Sequence, residues 1–200
     1  MLEILNWRWI LASASPRRRQ LLELAGIRPE VWTGAPDESL PPGTPASEWA
    51  LRAARKKAEW FYSRRPSGAW LLTADTTVIL NNKVINKPTH PQEAFEMLKM
   101  LCGKTHLVTT GVCILYDQGE LTFAETTEVE FSPMPDDFLW DYAQSGQGLD
   151  KAGAYGAQDR FGLVAIRRIH GCFYNVMGLP VNRILWEIRQ LTENTKSKRV

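Results

Sequence analysis

Residues 105–131 decide the fold class: THLVTTGVCILY at 105–116, DQG at 117–119 and ELTFAETTEVEF at 120–131. Both flanking runs are of strand length and rich in Val, Thr, Ile and Phe. Asp117-Gln118-Gly119 between them is a hairpin-type connection. Thr105–Tyr116 and Glu120–Phe131 therefore read as one long antiparallel hairpin. Upstream, Trp70–Leu80 reads as a buried strand, and Asn81-Asn82 turns it into Lys83–Ile85. His90–Leu101 is an amphipathic helix with Ala94, Phe95, Leu98 and Leu101 on its core face and Gly103 as its stop. Nearer the N-terminus, a short strand at Trp9–Ala12 precedes a helix at Pro16–Leu24 that Gly26 stops, and Pro45–Ser63 is a second helix.

Beyond the hairpin the pattern predicts a helix at Pro135–Gln144, a Gly-rich loop at Ser145–Gly156, a strand at Leu163–Ile169 and a closing helix at Val181–Leu191. The expectation is an α/β chain: a mixed twisted sheet with a long antiparallel hairpin and flanking helices, containing a cleft. No linker divides it, so residues 1–191 form one domain, with two lobes around the cleft as the variant, and 192–200 are a polar tail. The loop Gly34–Gly43 suits a lid or a hinge.

The chain has 200 residues, 44% of them apolar and 23% charged, values that exclude disorder, collagen and coiled coil as the main state. Its longest apolar candidate, Leu107–Tyr116, falls short of the roughly 18 residues of a membrane helix, and no export signal opens the chain. No membrane partner is expected. Cys102, Cys113 and Cys172 make an odd number without a CxxC pair, which points to reduced, structural thiols in a cytoplasmic protein and not to zinc. The net charge is +2, with basic clusters at Arg17–Arg19 and Arg52–Lys57 and no Lys or Arg from Thr105 to Asp150. The basic half suggests an anionic ligand. Nucleic acid is disfavoured by the near-neutral total, the acidic middle and the lack of a recognised motif. A second copy of the chain could seat on the Trp-rich surface, although a core accommodates eight Trp without one.

Three stretches could carry chemistry. In Ser13-Ala14-Ser15-Pro16-Arg17-Arg18 a strand ends, Ser15 is placed to cap, and Pro16 opens the helix. Amides at a helix start favour phosphate, and the Ser13 and Ser15 hydroxyls add donors. Arg17 and Arg18 oppose the helix dipole there, at a cost of about 0.3–1 kcal/mol each that a bound anion would offset. The plainer alternative is an ordinary capped helix with solvated arginines. In Thr73-Ala74-Asp75-Thr76-Thr77 a carboxylate sits within an apolar strand, where it is costly unless paired or metal-bound. Lys87, fixed before Pro88, is its nearest candidate cation after the turn, and a structural Asp–Lys pair stays open as the alternative. In the third stretch, Asp150–Gln158, small residues surround Tyr155, and Gln158 offers the donor and acceptor that base recognition needs. Asn175 is a cap or a ligand contact; the three His have no nucleophile partner and carry no chemistry.

Together these motifs, with Lys57-Ala58 and Asn175-Val176-Met177-Gly178-Leu179-Pro180, resemble the Maf, or septum-formation, nucleotide pyrophosphatases from about Ile10 to Trp186. The resemblance implies a cleft-containing α/β fold similar to that of the inosine triphosphate pyrophosphatases. It also implies hydrolysis of a nucleoside triphosphate to monophosphate and diphosphate with Mg²⁺ or Mn²⁺. Asp75 then matches the catalytic aspartate and, with Glu38, a metal ligand. Ser13, Ser15, Arg18, Lys57, Lys87 and Lys151 fall among the substrate-binding positions. Arg17, Thr76 and Gln158 match the pattern of members acting on dTTP and UTP, whereas members preferring 7-methyl-GTP differ there. The alternatives are a preference for another nucleotide and a nucleotide-binding regulator of division without turnover. The chain departs from the family at Asn86, where Gly is common, at Gln147-Gly148 in place of Glu-Pro, at Asp159-Arg160 and at Cys172.

Overall fold

The computed structural model describes residues 2–34, 36, 37 and 39–197. Among these, seven strands form one sheet, ordered β2 (Glu30–Trp32), β1 (Trp9–Ala12), β3 (Trp70–Leu80), β5 (Thr105–Tyr116), β6 (Gly119–Phe131) and β7 (Ile166–His170). The last strand, β4 (Lys83–Ile85), also pairs with β3. β1 runs parallel to β2 and β3 and the other pairs are antiparallel, so the sheet is mixed, as its pattern predicts. The hairpin β5–β6 pairs without interruption from Thr105↔Glu130 to Tyr116↔Gly119.

One edge of β3 is broken. β5 takes one side of the strand from Leu71 to Ile79. On the other side β1 pairs with Trp70–Leu72 and β4 with Val78–Leu80, leaving residues 73–77 between them without a strand. Both faces of the sheet are reachable at that gap.

The two faces are covered differently. On one, helix α3 (Ala46–Phe61) lies across Leu71, Cys113 and Leu115 through buried Ala54, Ala58 and Phe61. Its small side chains let it come close, and Gly111 lets it come closer: a Cβ there would meet the Ala50 carbonyl carbon and oxygen and the Leu51 nitrogen at 2.3 Å. Thr73 Oγ1 donates to the Ala54 carbonyl at 2.8 Å, pinning the helix to β3.

The opposite face carries two apolar clusters. One gathers Leu11, Leu72, Ala74, Val112 and Ile114 under α1 (Leu2–Leu5), α2 (Pro16–Leu24) and the closing helix α8 (Val181–Ser197). The other gathers Val78, Val108, Val129 and Phe131 under α4 (Pro91–Leu101), α5 (Asp136–Gln144) and α6 (Arg160–Ala165). Thr76 and Thr110, directly paired across β3 and β5, lie in the polar belt between the clusters.

Several boundaries differ from the sequence reading. Leu163–Ile169 was expected as one strand, but α6 runs through Ala165 and β7 begins at Ile166. Asp159 provides an extended N-terminal residue, and Gly162 seats the helix against the Gly156 and Ala157 carbonyls, a tertiary contact no strand pattern reveals. The expected polar tail is helical through Ser197, supported by an Arg189–Glu193 pair one turn apart. Two four-residue helices, α1 and α7 (Phe173–Val176), and the three-residue β2 are too short to leave a periodic signal. Among the described residues no cysteine forms a disulfide; Cys113 is buried, while Cys102 and Cys172 are half-buried, not fully buried as the reading of structural thiols implies. No described helix is long and apolar enough to cross a membrane.

Candidate active site

A cavity of about 280 Å³ occupies the gap in the β3 edge. The helix start Ser13–Arg18 and Asp75 both line it. So do Lys57, Thr76, Lys87, Lys151 and Gln158, bringing together every candidate residue except Glu38, which lies outside the described residues. Five cationic side chains, Arg17, Arg18, Lys57, Lys87 and Lys151, face two carboxylates, Asp75 and Asp150, so the cavity favours an anion of high charge.

Asp75 points to the α3 side of the strand. Its Oδ1 accepts from Lys57 Nζ at 2.7 Å, and the two side chains are only 18% and 13% exposed. The cost of holding a carboxylate in this apolar strand is thus met by a lysine one layer above, carried on the helix that Gly111 admits. Lys87, its partner in the alternative of a structural Asp–Lys pair, is exposed instead and lines the cavity. Asp75 Oδ2 makes no hydrogen bond among the described residues.

The two arginines of the first α2 turn do different work. Arg17 Nη1 reaches Asp150 Oδ2 at 2.7 Å across the cavity mouth. Burial alone would raise the Asp150 carboxyl, but hydrogen bonds from Lys151 and Arg17 outweigh it and hold the group below the usual carboxylate range. Arg18 turns inward: Nε donates to the Gly178 carbonyl at 2.9 Å, Nη1 to Ser13 Oγ at 3.2 Å and Nη2 to Thr76 Oγ1 at 3.1 Å. Gly178 adopts φ +113°, a conformation side chains rarely take, and this aims its carbonyl at Arg18. Ser15 has the backbone of a capping residue but its side chain makes no capping bond; its own amide donates to Ser13 Oγ at 3.2 Å.

Three further residues have roles the sequence did not reveal. Lys151 Nζ bonds Asp150 at 2.8 Å, lies 3.2 Å from Asp159 and also donates to the Gln147 carbonyl, so it anchors the 145–156 loop as well as lining the cavity. Asn175 is fully buried, and its Nδ2 donates to the Val108 carbonyl and to Thr127 Oγ1, both at 2.9 Å; it clamps the fold and touches no ligand space. Tyr155 is buried with its hydroxyl 2.8 Å from His106 Nε2, and burial pushes His106 down to about 4. The motif around Asp150 was visible in sequence, whereas the partners of Asn175 and Tyr155 depend on distant strands.

Val78, Val108, Ala152, Val176 and Met177 give the same cavity an apolar lining. The charged groups therefore suit phosphates and the apolar ones a flat ring. Among the described residues no three His, Cys, Asp or Glu side chains cluster as a ready-made metal cage. A hard cation held by one or two carboxylates and the phosphates of its substrate does not need one. Asp75, which lines the cavity and has one oxygen outside its bond to Lys57, fits that role.

The family model described as Maf-like protein matches residues 8–191. A dTTP/UTP pyrophosphatase of Thermococcus gammatolerans is 43% identical over 182 residues, covering 91% of this chain and 95% of that protein. The protein of the same name from Bacteroides thetaiotaomicron is 39% identical over 187 residues, covering 93% and 97%. Among solved structures, a nucleoside-triphosphatase / dITP/XTP pyrophosphatase from Mycobacterium abscessus aligns over 94% of this chain and 96% of its own, at 12% identity and a TM-score of 0.41. With the family model spanning the cavity's walls from Ser13 to Gly178 and relatives near 40% identity along the same length, the chain belongs to the Maf family.

Proposed function

We propose that this chain hydrolyses dTTP and UTP to the monophosphate and diphosphate. The observation that carries the reading is the single cavity shared by the Ser13–Arg18 helix start and Asp75. The relatives named dTTP/UTP pyrophosphatase support the choice of substrates. In this reading the triphosphate lies at the charged end, against the Ser13 and Ser15 region, Lys57 and Lys87. The base enters the apolar end, where Thr76 and Gln158 meet its polar edge and Arg17 closes over it.

The chemistry follows from the residues. Lys57 and Lys87 neutralise charge on the diphosphate as it leaves. Asp75 is placed to accept the proton of the water that attacks the α-phosphorus, while Lys57 holds its carboxylate in position. Mg²⁺ or Mn²⁺, held by Asp75 and, in the family pattern, Glu38, would supply further charge neutralisation of the phosphates. A nucleotide substrate and unpaired thiols suit a cytoplasmic enzyme.

The test is diphosphate release from a panel of nucleoside triphosphates with Mg²⁺ and Mn²⁺, run on the parent protein and on Asp75→Asn. UTP and dTTP should lead the panel and the variant should be nearly inactive. Near-parental release by Asp75→Asn, or a panel led by a purine nucleotide, would overturn the reading.

A further inference from the structure

We propose that a relay of hydrogen bonds, Arg18–Thr76–Thr110–Asn175, fixes Thr76 as an acceptor toward the cavity, so that it selects pyrimidines with a proton on N3 and rejects cytosine. Thr110, which does not line the cavity, is then the positioning residue that sets base choice. The inference rests on the functional reading above, in which the base lies against Thr76.

Counting donors assigns the direction. Thr76 Oγ1 accepts from the Arg18 guanidinium at 3.1 Å, a group that can only donate. The same oxygen lies 2.9 Å from Thr110 Oγ1 and 3.4 Å from the Gly178 carbonyl. Thr110, fully buried, lies 3.2 Å from the Asn175 carbonyl. If Thr110 gave its proton to Thr76, its oxygen would face that carbonyl lone pair to lone pair. With the proton of Thr110 on the Asn175 carbonyl and that of Thr76 on Thr110, each contact carries one proton. The Gly178 carbonyl, the other neighbour of Thr76, is also an acceptor. Either way the Thr76 proton is spent inside the protein.

A hydroxyl has one proton and two lone pairs. Arg18 occupies one pair and the proton faces inward, so one lone pair remains for the cavity. Thr76 is half-buried there beside apolar Val78 and Val108, where water does not freely replace a missing partner. Uracil and thymine carry a single ring N–H, at N3, flanked by two carbonyls that only accept. An acceptor hydroxyl can therefore meet their polar edge only at N3. Cytosine held in the same pose has a lone pair at N3, so two acceptors would face each other, and its one donor, the exocyclic amine, lies one position away at C4. Buried polar groups left unpaired discriminate strongly between substrates.

The experiment compares kcat/KM for UTP and CTP in the parent, Thr110→Val and Thr110→Ser, with thermal midpoints measured alongside. Thr110→Val keeps the side-chain shape, and the Asn175 carbonyl keeps its bond from the Gly178 amide at 2.9 Å. It removes the close inward acceptor at 2.9 Å and leaves only the long 3.4 Å contact to the Gly178 carbonyl, so the Thr76 proton can turn to the ligand. The UTP preference should fall about tenfold or more, while Thr110→Ser retains it within about twofold. A ratio unmoved in Thr110→Val, or lost equally in Thr110→Ser, overturns the relay. Thr76→Val, at the cavity surface, is the second variant should Thr110→Val not fold: its UTP rate should drop toward its CTP rate, and an unchanged ratio again overturns the proposal. A parent protein that hydrolyses no pyrimidine triphosphate would sink the functional reading itself, a result distinct from active variants whose preference stays constant.

Discussion

On the α3 side of β3, Asp75 sits 2.7 Å from Lys57 beneath a helix of small side chains; one residue later, on the opposite side, Thr76 joins Arg18 and Thr110 in a belt between two apolar clusters. The two residues are neighbours in the chain and face the same cavity, because the strand is uncovered along one edge there. Period-2 alternation sends them to opposite faces of the strand, so that in the proposed reading one meets the phosphates and the other the base. The first environment is a carboxylate–ammonium contact, whereas the second is a hydrogen-bonded network of four groups centred on uncharged hydroxyls. If the two are independent, charge lost at the first leaves recognition at the second undisturbed, and the reverse.

The largest expected effect breaks the ionic side. Asp75→Asn should lower kcat for UTP and dTTP alike by about 10²–10⁴-fold, with the UTP:CTP ratio kept, as read by steady-state kinetics. A change in the ratio would show that the two sides are not separate. Gly111→Ala attacks the same side through packing. Its Cβ would sit 2.3 Å from the Ala50 backbone, so α3 must lift and carry Lys57 with it. The variant should lose about 3 kcal/mol in urea unfolding, and its kcat should fall more than its base preference.

A smaller effect tests the wall behind the base end. His106 takes a proton near the ordinary 6.5 when unfolded but only at about 4 when folded, because its site is dry. The folded state is therefore fully favoured above pH 6.5 and loses about 3 kcal/mol as pH falls to 4. Denaturant midpoints at pH 7 and 4.5 should show a steeper loss in the parent than in His106→Phe, and equal slopes would count against this assignment. The smallest effect lies at the mouth. Asp150 competes with an anionic ligand for Arg17, through a pair whose carboxylate is mostly exposed. Asp150→Asn should lower KM for UTP about threefold at low salt, a gain that fades as salt rises.

The same contrast separates what the sequence shows from what it hides. The ionic side announces itself: an aspartate inside an apolar strand, a Ser-rich turn before a Pro-started helix and a Lys before Pro are all local patterns. Even there, the lysine that meets Asp75 came from family likeness, since 18 residues and a helix separate Lys57 from it. The hydrogen-bonded side has no local pattern. Thr110 is one of three Thr in β5 until the register sets it opposite Thr76, and Arg18 is indistinguishable from Arg17 until one turns inward and the other toward Asp150. Strands and long helices were legible because their periods repeat; α6 and α7, one or two turns each, are set by contacts with distant carbonyls and side chains.

The missing partner along residues 73–77 of β3 has a consequence for how such a protein can change. In the proposed reading, turnover and selectivity hang from successive residues of one strand, and each is tuned by a different layer of the molecule. A new preference for the ring can arise by substitutions under α2 and α7 alone, leaving the hydrolytic apparatus at its original spacing. The strand acts as a fixed hinge pin between two independently adjustable plates.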